Sequence, residues 1–537
     1  MNWVRGLTPL VIPFAALAAE LGLCHLAGST PARWQIVVEA AAWLLLALAP
    51  LPADWRGTRA WPAILLVLAP LARANPTLLP LLGLAVIAVL LARVLDDLVR
   101  TRLPLAVALT VVAATVNRVE TLLPVGLHPL SRALIPVTTP PSPAAAPPIL
   151  LITIDTLRAD DAAAMGAVAR LRPDAAYWPR AMSTSSWTVP AMASLFTGRT
   201  PAAHGATAVL PGPRPTTIRA DVPTLPETLR AAGYTTAGFA TNALTSGVLG
   251  FDRGFTTFHH TDEDLPHTLV FAGPPPARTP VDRAVAWLAD APPTAAFLWV
   301  HLADPHLPYT DLPTDPADPL VAAVAGRWDL LAAGPVRAGQ LALPEPARVA
   351  LRAAYRRQVA RADAAVLRLL VAAEARWPDA IIVLTADHGE EFWEHGGFEH
   401  GHSHHGEVLD VPLLIRAPGM PAGERHDVAS LQDVAPTLSS IALGTPRAAA
   451  DLRSDADRTA TAAGNLYFGP GASARRGTRR AIVGVGEYDL ASDPAESNPL
   501  PPGALTDAAR AAATPSSDAG AEADLNLEAL RRLGYVE

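Results

Sequence analysis

Two short apolar runs, each of strand length and each leading to a carboxylate, constrain the fold of this chain more than any other feature. The first, residues 149–154, has the sequence ILLITI and runs into Asp155. The second, residues 381–384, leads to Asp387 and His388. Apolar runs of this length that are rich in β-branched residues are typical of strands buried on both faces of a parallel sheet. Because α/β proteins place their sites at the carboxyl ends of such strands, these three polar side chains are predicted to belong to a functional site.

A metal is predicted at these strand ends. Desolvating a carboxylate costs several kcal/mol unless a positive group meets it. A divalent cation is the natural partner, and Asp155, Asp387 and His388 supply three of the ligands that it needs. Mixed oxygen and nitrogen donors favour zinc or manganese over calcium or magnesium, which stay as alternatives, and the number of ions is one or two.

The predicted nucleophile lies in the segment STSSWTVPAMASLFTGR, residues 183–199. Pro190 and the helix-forming residues after it indicate a helix that begins near Thr188. The unpaired backbone amides at a helix amino terminus are where an anionic phosphate or sulfate group binds. Thr188 is therefore a candidate nucleophile, and the alternative is that it is an ordinary helix cap.

The loop after His388 is rich in histidine and offers further ligands. Its histidines, with two glutamates between them, are His395, His400, His402, His404, His405, Glu394 and Glu399. Imidazole is both a common metal ligand and a general acid or base near neutral pH. The alternative interpretation is a solvated surface loop.

Strand and helix patterns alternate along residues 149–445. Residues 224–242 indicate a helix, a glycine stop at Gly233 and then a strand, and residues 347–376 indicate a long helix. A further strand precedes three polar residues, His301, Asp304 and His306. This alternation predicts an α/β fold, an αβα sandwich with a mostly parallel central sheet.

The first part of the chain has the composition of a membrane domain. Five apolar segments, at about 7–27, 34–51, 60–72, 77–95 and 103–117, predict a bundle of four or five transmembrane helices within residues 1–118. The segments between the predicted spans carry six arginines on one side of the membrane and four on the other. Because positive residues are enriched on the cytoplasmic side, this bias predicts that the amino terminus lies inside and that everything after Arg118 lies outside. A cleaved signal peptide is the alternative for the first segment.

The rest of the domain plan and the partners follow from composition. Residues 119–148 form a Pro-rich linker, residues 149–445 a catalytic domain and residues 446–537 a carboxyl-terminal subdomain whose tail, 501–523, is predicted to be a linker. A net charge of −8 offers no basic patch for nucleic acid. All 42 basic residues are arginine, which suggests a GC-rich bacterial genome. The predicted location is the bacterial inner membrane, with the catalytic domain on the periplasmic or extracellular side.

Several long motifs occur in an order that resembles the sulfatase-like branch of the alkaline phosphatase superfamily. They are ILLITIDTLRAD, SSWTVPAMASLFTGR, TLPETLRAAGYTTAGFATN, GFDRGFTTF, VHLADPHLPY, TADHGEEF, EYDLASDPAE and LRRLGYVE. The resemblance covers essentially all of residues 149–537. It implies an αβα core, a metal-bound nucleophile and a small α+β subdomain that contains the EYDL strand.

The resemblance also implies roles for single residues. Asp155, Asp387 and His388 match metal ligands, and Thr188 matches the nucleophile, itself metal-bound. His306 and His400 match residues that contact the transferred group or a second metal, and both are candidate catalytic residues. His301 and His402 are further candidates for a second metal or for the substrate.

Departures from the sulfatase pattern narrow the chemistry. Sulfatases of this kind oxidise a Cys or Ser to formylglycine, but this chain has Thr188 there and Met192 in place of the motif's arginine. Thr156 replaces a second aspartate, and His400 stands where a lysine is expected. Membrane-anchored phosphoethanolamine and phosphoglycerol transferases of the superfamily, by contrast, use a metal-bound threonine with histidines around it.

Three classes of function remain open at this point. The first is a membrane-anchored, metal-dependent hydrolase of phosphate or sulfate esters with a small-molecule, lipid or glycan substrate, and phosphoesters are favoured. A threonine sulfate lacks the hemiacetal through which formylglycine expels sulfate. The second class is a lipid-headgroup transferase. The third is a catalytically inactive protein that acts through interactions.

Overall fold

The computed structural model describes residues 146–209, 214–260, 278–307, 309, 336, 342–454, 457–467 and 471–512. The predicted transmembrane segments and nearly all of the predicted linker lie outside these residues. None of the helices in the described part of the chain has both the length and the apolar character that a membrane span requires.

Strands account for the buried centre of the described residues. Their bounds are β1 (Ile149–Ile154), β2 (Ala176–Met182), β3 (Ala208–Val209), β4 (Arg214–Pro215), β5 (Thr235–Ala240), β6 (Thr257–His260), β7 (Ala296–Leu302), β8 (Ile381–Ala386), β9 (Glu391–Phe392), β10 (Phe398–Glu399), β11 (Asp410–Arg416), β12 (Gly423–Glu424), β13 (Thr459–Ala463), β14 (Ala472–Arg476), β15 (Arg479–Ile482) and β16 (Gly486–Asp489).

Helices connect and cover these strands. Their bounds are α1 (Ala159–Ala162), α2 (Gly166–Leu171), α3 (Thr188–Thr197), α4 (Pro201–His204), α5 (Leu225–Ala231), α6 (Arg278–Asp290), α7 (Glu345–Arg376), α8 (Gly406–Leu409), α9 (Val434–Leu443) and α10 (Ala504–Ala512).

The central sheet has eight described strands in the order β12-β2-β11-β8-β1-β7-β5-β6. The run from β8 to β6 is parallel throughout. Strand β11 is antiparallel to both of its neighbours, β8 and β2. The prediction of an α/β fold with a mostly parallel sheet is therefore confirmed, and the sheet is a mixed one.

Burial on both faces of the sheet explains the continuous apolar sequences of β1 and β8. Every residue of β1, β7 and β8 is buried, so the middle of the sheet is covered on both faces. Helix α3 covers one of these faces, where the ring of Phe196 packs edge-on against Trp299 with a centroid distance of 4.7 Å. Such a covered, parallel centre requires apolar residues at successive positions rather than at alternate ones.

Local signals account for the helix ends. Helix α5 begins with a capping box in which the Thr224 hydroxyl accepts from the backbone amide of Glu227 and the Glu227 side chain accepts from that of Thr224. It is followed by Gly233, whose φ of +92° suits glycine. Helix α3 ends at Gly198 in the left-handed conformation, φ +66°. The long helix predicted over 347–376 is α7, which begins two residues earlier.

A second sheet follows the catalytic core. Strands β13, β14, β15 and β16 form an antiparallel sheet in chain order, and α10 packs against β14. The prediction that residues 501–523 are a linker is wrong for residues 504–512, which form α10. The start of this helix is capped from a distance, because Glu487 Oε1 accepts from the amides of Gly503 and Thr506 and from the Thr506 hydroxyl.

Candidate active site

Adjacent strand ends bring the predicted ligands together. Strands β1 and β8 are parallel neighbours whose last residues, Ile154 and Ala386, lie opposite each other. Asp155 and Asp387 follow these residues directly, and His388 comes next. Oxygens of the two carboxylates and a ring nitrogen of His388 all lie within 4.8 Å of one another, and the three side chains are completely buried.

Each carboxylate has one oxygen satisfied by protein donors and one that is not. Asp387 Oδ1 accepts from the backbone amides of Thr156, at 3.2 Å, and His388, at 2.9 Å. Asp155 Oδ2 accepts from the Asn242 side-chain amide. Asp155 Oδ1 and Asp387 Oδ2 are buried with no hydrogen-bond donor among the described residues, and they lie 3.7 and 3.3 Å from His388 Nε2.

The electrostatics of the pair call for a cation. Burial raises the pKa of Asp387, and the nearby charge of Asp155 raises it further. Burial also opposes ionisation of Asp155, but His306, His301 and His388 together outweigh it and lower the pKa of Asp155 to about 2. Two buried carboxylate oxygens that lack donors, converging with an imidazole nitrogen, fit a divalent cation. This buried group of two aspartates and a histidine can thus bind a metal.

Thr188 lies at the edge of this group. It is the first residue of α3, it is fully buried, and its Oγ1 is 3.2 Å from His388 Nε2. The preceding residue, Trp187, has an extended backbone, so the chain turns into the helix at the hydroxyl itself. The site therefore combines a hydroxyl, the amino terminus of a helix and three side chains that can hold a metal ion.

Three histidine rings extend from the metal group. The ring centroids of His388 and His400 are 4.4 Å apart, and those of His400 and His306 are 4.9 Å apart. Glu390 Oε1 lies 2.9 Å from His400 Nδ1, and a carboxylate only accepts, so Nδ1 carries the proton. His400 therefore lies beside the His388 ring, and His306 lies beside His400.

The two remaining candidates occupy different positions. His301 is buried on β7, and its Nε2 is 3.6 Å from Asp155 Oδ2. His402 lies in the loop, where its Nε2 pairs with Glu391 Oε2 at 2.9 Å and its Nδ1 is 3.2 Å from the backbone oxygen of His400. Both ring nitrogens of His402 thus face acceptors of the loop itself.

The other loop histidines fasten the loop. His395 pairs with Glu407 at 2.7 Å and stacks on His405 with a centroid distance of 3.5 Å. His405 pairs in turn with Glu496, which follows the second sheet. Burial lowers the pKa of His404 to about 4. The loop is therefore buried at His400, His404 and His405 and exposed at Glu394 and His395.

The His395 pair predicts a dependence of stability on pH. Its hydrogen bond to Glu407 raises the pKa of His395 from 6.5 to about 9. A raised pKa in the folded state contributes stability that is complete below pH 6.5 and is lost as the pH rises through about 9. Denaturant titrations across this range are expected to show a decline in unfolding free energy that is smaller in His395→Gln by about 1 kcal/mol. An unchanged decline in His395→Gln would contradict the assignment, and His426→Gln, at an exposed histidine, is the control.

Two residues of the site were not singled out by sequence reasoning. Asn242 follows strand β5, which is separated from β1 in the sheet by β7 alone, and its side-chain amide donates to Asp155. A polar residue after a third strand, like those after β1 and β8, was a sequence signal that could have indicated this position. Glu390 belongs to the DHGEE run, but nothing in the sequence indicates that it pairs with His400, ten residues later.

The departures from the sulfatase pattern also have a structural setting. Met192 is completely buried in the main apolar core. Thr156 has a left-handed backbone, φ +55°, which directs its amide toward Asp387 Oδ1. A threonine there is strained, because β-branched residues rarely adopt this conformation.

The fold and the site together define a hydrolase of the alkaline phosphatase-like class. Within this class the chain belongs to the sulfatase family, whose model, described as Sulfatase, matches residues 147–445. The resemblance seen in the sequence is thereby confirmed. A search of curated proteins gives no match.

Solved structures share the fold at low sequence identity. A 2-O GAG sulfatase is 18% identical, with 66% of this chain and 87% of that chain covered and a TM-score of 0.50. A protein in complex with its substrate, D-glucosamine-2-N,6-O-disulfate, is 18% identical, with coverages of 66% and 93% and a TM-score of 0.50. The phosphonate monoester hydrolase of Agrobacterium radiobacter is 18% identical, with coverages of 66% and 91% and a TM-score of 0.47. At these identities the likeness concerns the fold alone.

Proposed function

We propose that this sulfatase-family protein cleaves phosphoesters with Thr188 as its nucleophile. The observation that carries the proposal is the position of Thr188 Oγ1, 3.2 Å from His388 Nε2. That nitrogen lies 3.7 and 3.3 Å from the two carboxylate oxygens that lack donors, Asp155 Oδ1 and Asp387 Oδ2. Asp155, Asp387 and His388 would hold a divalent cation, with zinc or manganese favoured. When bound, such a cation lowers the pKa of an adjacent hydroxyl, as it does for water.

The chain's own residues perform the remaining steps of the proposed reaction. The Thr188 hydroxyl loses its proton to solvent, and its oxygen attacks phosphorus in line with the leaving oxygen. As the bond to the leaving oxygen breaks, His400, which carries a proton on both ring nitrogens at this step, donates the Nε2 proton to that oxygen. Glu390 holds His400 in position through Nδ1. The amides at the start of α3 stabilise the negative charge on the phosphoryl oxygens.

The second half of the reaction restores the threonine. Water attacks the phosphorus of the phosphothreonine, its proton passes to the His400 that had lost one, and the Thr188 oxygen leaves and takes a proton back from solvent. A phosphomonoester substrate then yields inorganic phosphate, and a phosphodiester yields a phosphomonoester. A threonine sulfate has no comparable exit by hemiacetal collapse, which is why phosphoesters are favoured over sulfate esters.

A lipid-headgroup transferase is the second candidate, and a threonine nucleophile among histidines favours it. It differs only in the last step, where an acceptor alcohol replaces water. The proposed setting suits either reaction. The apolar segments of residues 1–118 anchor the protein in a bacterial inner membrane, and the catalytic domain lies on the periplasmic or extracellular side.

A substrate panel with mass spectrometry tests the proposal. Purified full-length protein is assayed with nitrophenyl phosphate, a nitrophenyl phosphodiester and nitrophenyl sulfate, each with and without a diacylglycerol acceptor. We expect turnover of a phosphoester, little or none of the sulfate, and a mass increase on the peptide that contains Thr188. Product that forms only with the acceptor would establish the transferase. Turnover of the sulfate alone would contradict the phosphoester assignment. A protein that turns over none of the substrates and also binds no metal would favour the inactive class.

A further inference from the structure

A buried row of three side chains crosses from β7 to β1 and ends at the metal group. Trp299 Nε1 donates to Thr153 Oγ1 at 2.9 Å, and Thr153 Oγ1 lies 2.8 Å from His301 Nδ1. The other ring nitrogen, His301 Nε2, is 3.6 Å from Asp155 Oδ2. All three side chains of the row are completely buried.

Strand register builds this row. Thr153 and His301 are direct partners across the parallel pair β1 and β7. Trp299 lies two residues before His301, and Asp155 lies two residues after Thr153. Because residues two apart in a strand point to the same face, all of these side chains project from one side of the sheet.

The donors and acceptors in the row set the direction of each proton. The indole nitrogen of Trp299 only donates, so the Thr153 oxygen is the acceptor of that bond. Among the described residues, the Thr153 hydroxyl proton has no acceptor other than His301 Nδ1. If Nδ1 carried the ring proton instead, that hydroxyl proton would be buried without a partner. Nδ1 is therefore the acceptor, and the ring proton is on Nε2.

We propose that His301 is a positioning residue that turns Asp155 toward the cation. Its Nε2 lies 3.6 Å from Asp155 Oδ2, longer than a hydrogen bond, and the same oxygen accepts from Asn242. The protonated ring nitrogen and the Asn242 amide on the Oδ2 side leave Oδ1 as the oxygen on the side of His388, 3.7 Å from its Nε2. A ring nitrogen that carries a proton is not a metal ligand, so this arrangement assigns His301 to the support of Asp155 and not to a second cation. The inference rests on the proposed metal site.

A matched pair of threonine substitutions tests this row. Thr153→Val removes the hydroxyl and keeps the β-branched shape that suits a buried strand. Thr385→Val is the control, because Thr385 lies opposite Thr153 in the register, also two residues before an aspartate, but its hydroxyl donates to the backbone oxygen of Pro412. The metal-free full-length proteins are titrated with Zn²⁺ and, separately, with Mn²⁺. We expect Thr153→Val to bind about 10-fold more weakly than wild type and Thr385→Val to bind as wild type does.

A spectroscopic measurement makes the test independent of the mutants' folding. In ¹⁵N-histidine-labelled wild-type protein, we expect His301 to be the tautomer with its proton on Nε2, with and without Zn²⁺. Trp299→Phe, which removes the indole N–H, serves as a second variant and should also weaken metal binding. A His301 proton on Nδ1, coordination of Zn²⁺ by Nε2, or equal affinities of Thr153→Val and Thr385→Val would overturn the inference alone. Wild-type protein that binds neither metal would overturn the proposed metal site and the inference with it.

Discussion

Thr188→Ala is expected to lower turnover by at least about 10⁴-fold while metal content stays unchanged. The substitution removes the oxygen that we propose attacks phosphorus, and the carboxylates and imidazole that would hold the cation are left in place. The hydrogen-bond contact that the substitution removes joins Thr188 Oγ1 to His388 Nε2 at 3.2 Å. Steady-state kinetics on the best phosphoester of the panel and metal analysis of the same preparation measure both quantities.

Two further variants make the Thr188 result specific. Thr188→Ser retains the hydroxyl at the start of α3 and should retain part of the turnover and the covalent phosphoenzyme. Thr197→Ala, in the last turn of the same helix, removes a hydroxyl that bonds to the backbone oxygen of Ala193 and should leave turnover unchanged. Undiminished activity of Thr188→Ala would mean that another group attacks the substrate, and the proposed covalent mechanism would be abandoned.

Local pattern was sufficient to predict the parts of the fold that are buried on both sides. Strands β1 and β8 are continuous apolar runs because both faces of the sheet are covered there, and their terminal aspartates stood out for the same reason. The position of α3 followed from Pro190 and the residues after it. Each of these signals lies within about ten residues of the element that it predicts.

Features that depend on distant partners were not predictable in this way. The antiparallel direction of β11 is fixed by its pairing with β8 and β2, and neither hydrophobicity nor composition carries that information. Helix α10 was predicted to be linker because its cap, Glu487, belongs to a strand 16 to 19 residues earlier. A cap supplied by tertiary structure leaves no capping signal in the helix sequence itself.

The same limit applies to the site. Asp155 and Asp387 were expected to lie near each other because parallel strands end at one edge, but only the strand order makes β1 and β8 adjacent. The contact of Glu390 with His400 and the position of His402 against Glu391 depend on how the loop returns past the short hairpin of β9 and β10. Histidine count alone does not distinguish these roles.

Asp387→Asn is expected to stabilise the metal-free protein and to destabilise the protein in the presence of metal. In the metal-free protein, burial and the charge of Asp155 raise the pKa of Asp387, so ionised Asp387 opposes folding at neutral pH. Asparagine keeps the oxygen that accepts from the amides of Thr156 and His388 and removes the charge. We therefore expect metal-free Asp387→Asn to have a higher melting temperature than metal-free wild type.

With metal present, the order of stabilities should be the opposite. A cation at 100 times its dissociation constant stabilises the folded wild-type protein by about 2.7 kcal/mol, and Asp387→Asn, which lacks one ligand, gains much less. Thermal unfolding with excess chelator and with added Zn²⁺ or Mn²⁺ compares the four states directly. Asp433→Asn is the matched control, since burial raises the pKa of Asp433 to about 6 at a position outside the metal group. It should shift both conditions equally, and a wild-type protein that gains no stability from either metal would remove the basis for a cation between Asp155, Asp387 and His388.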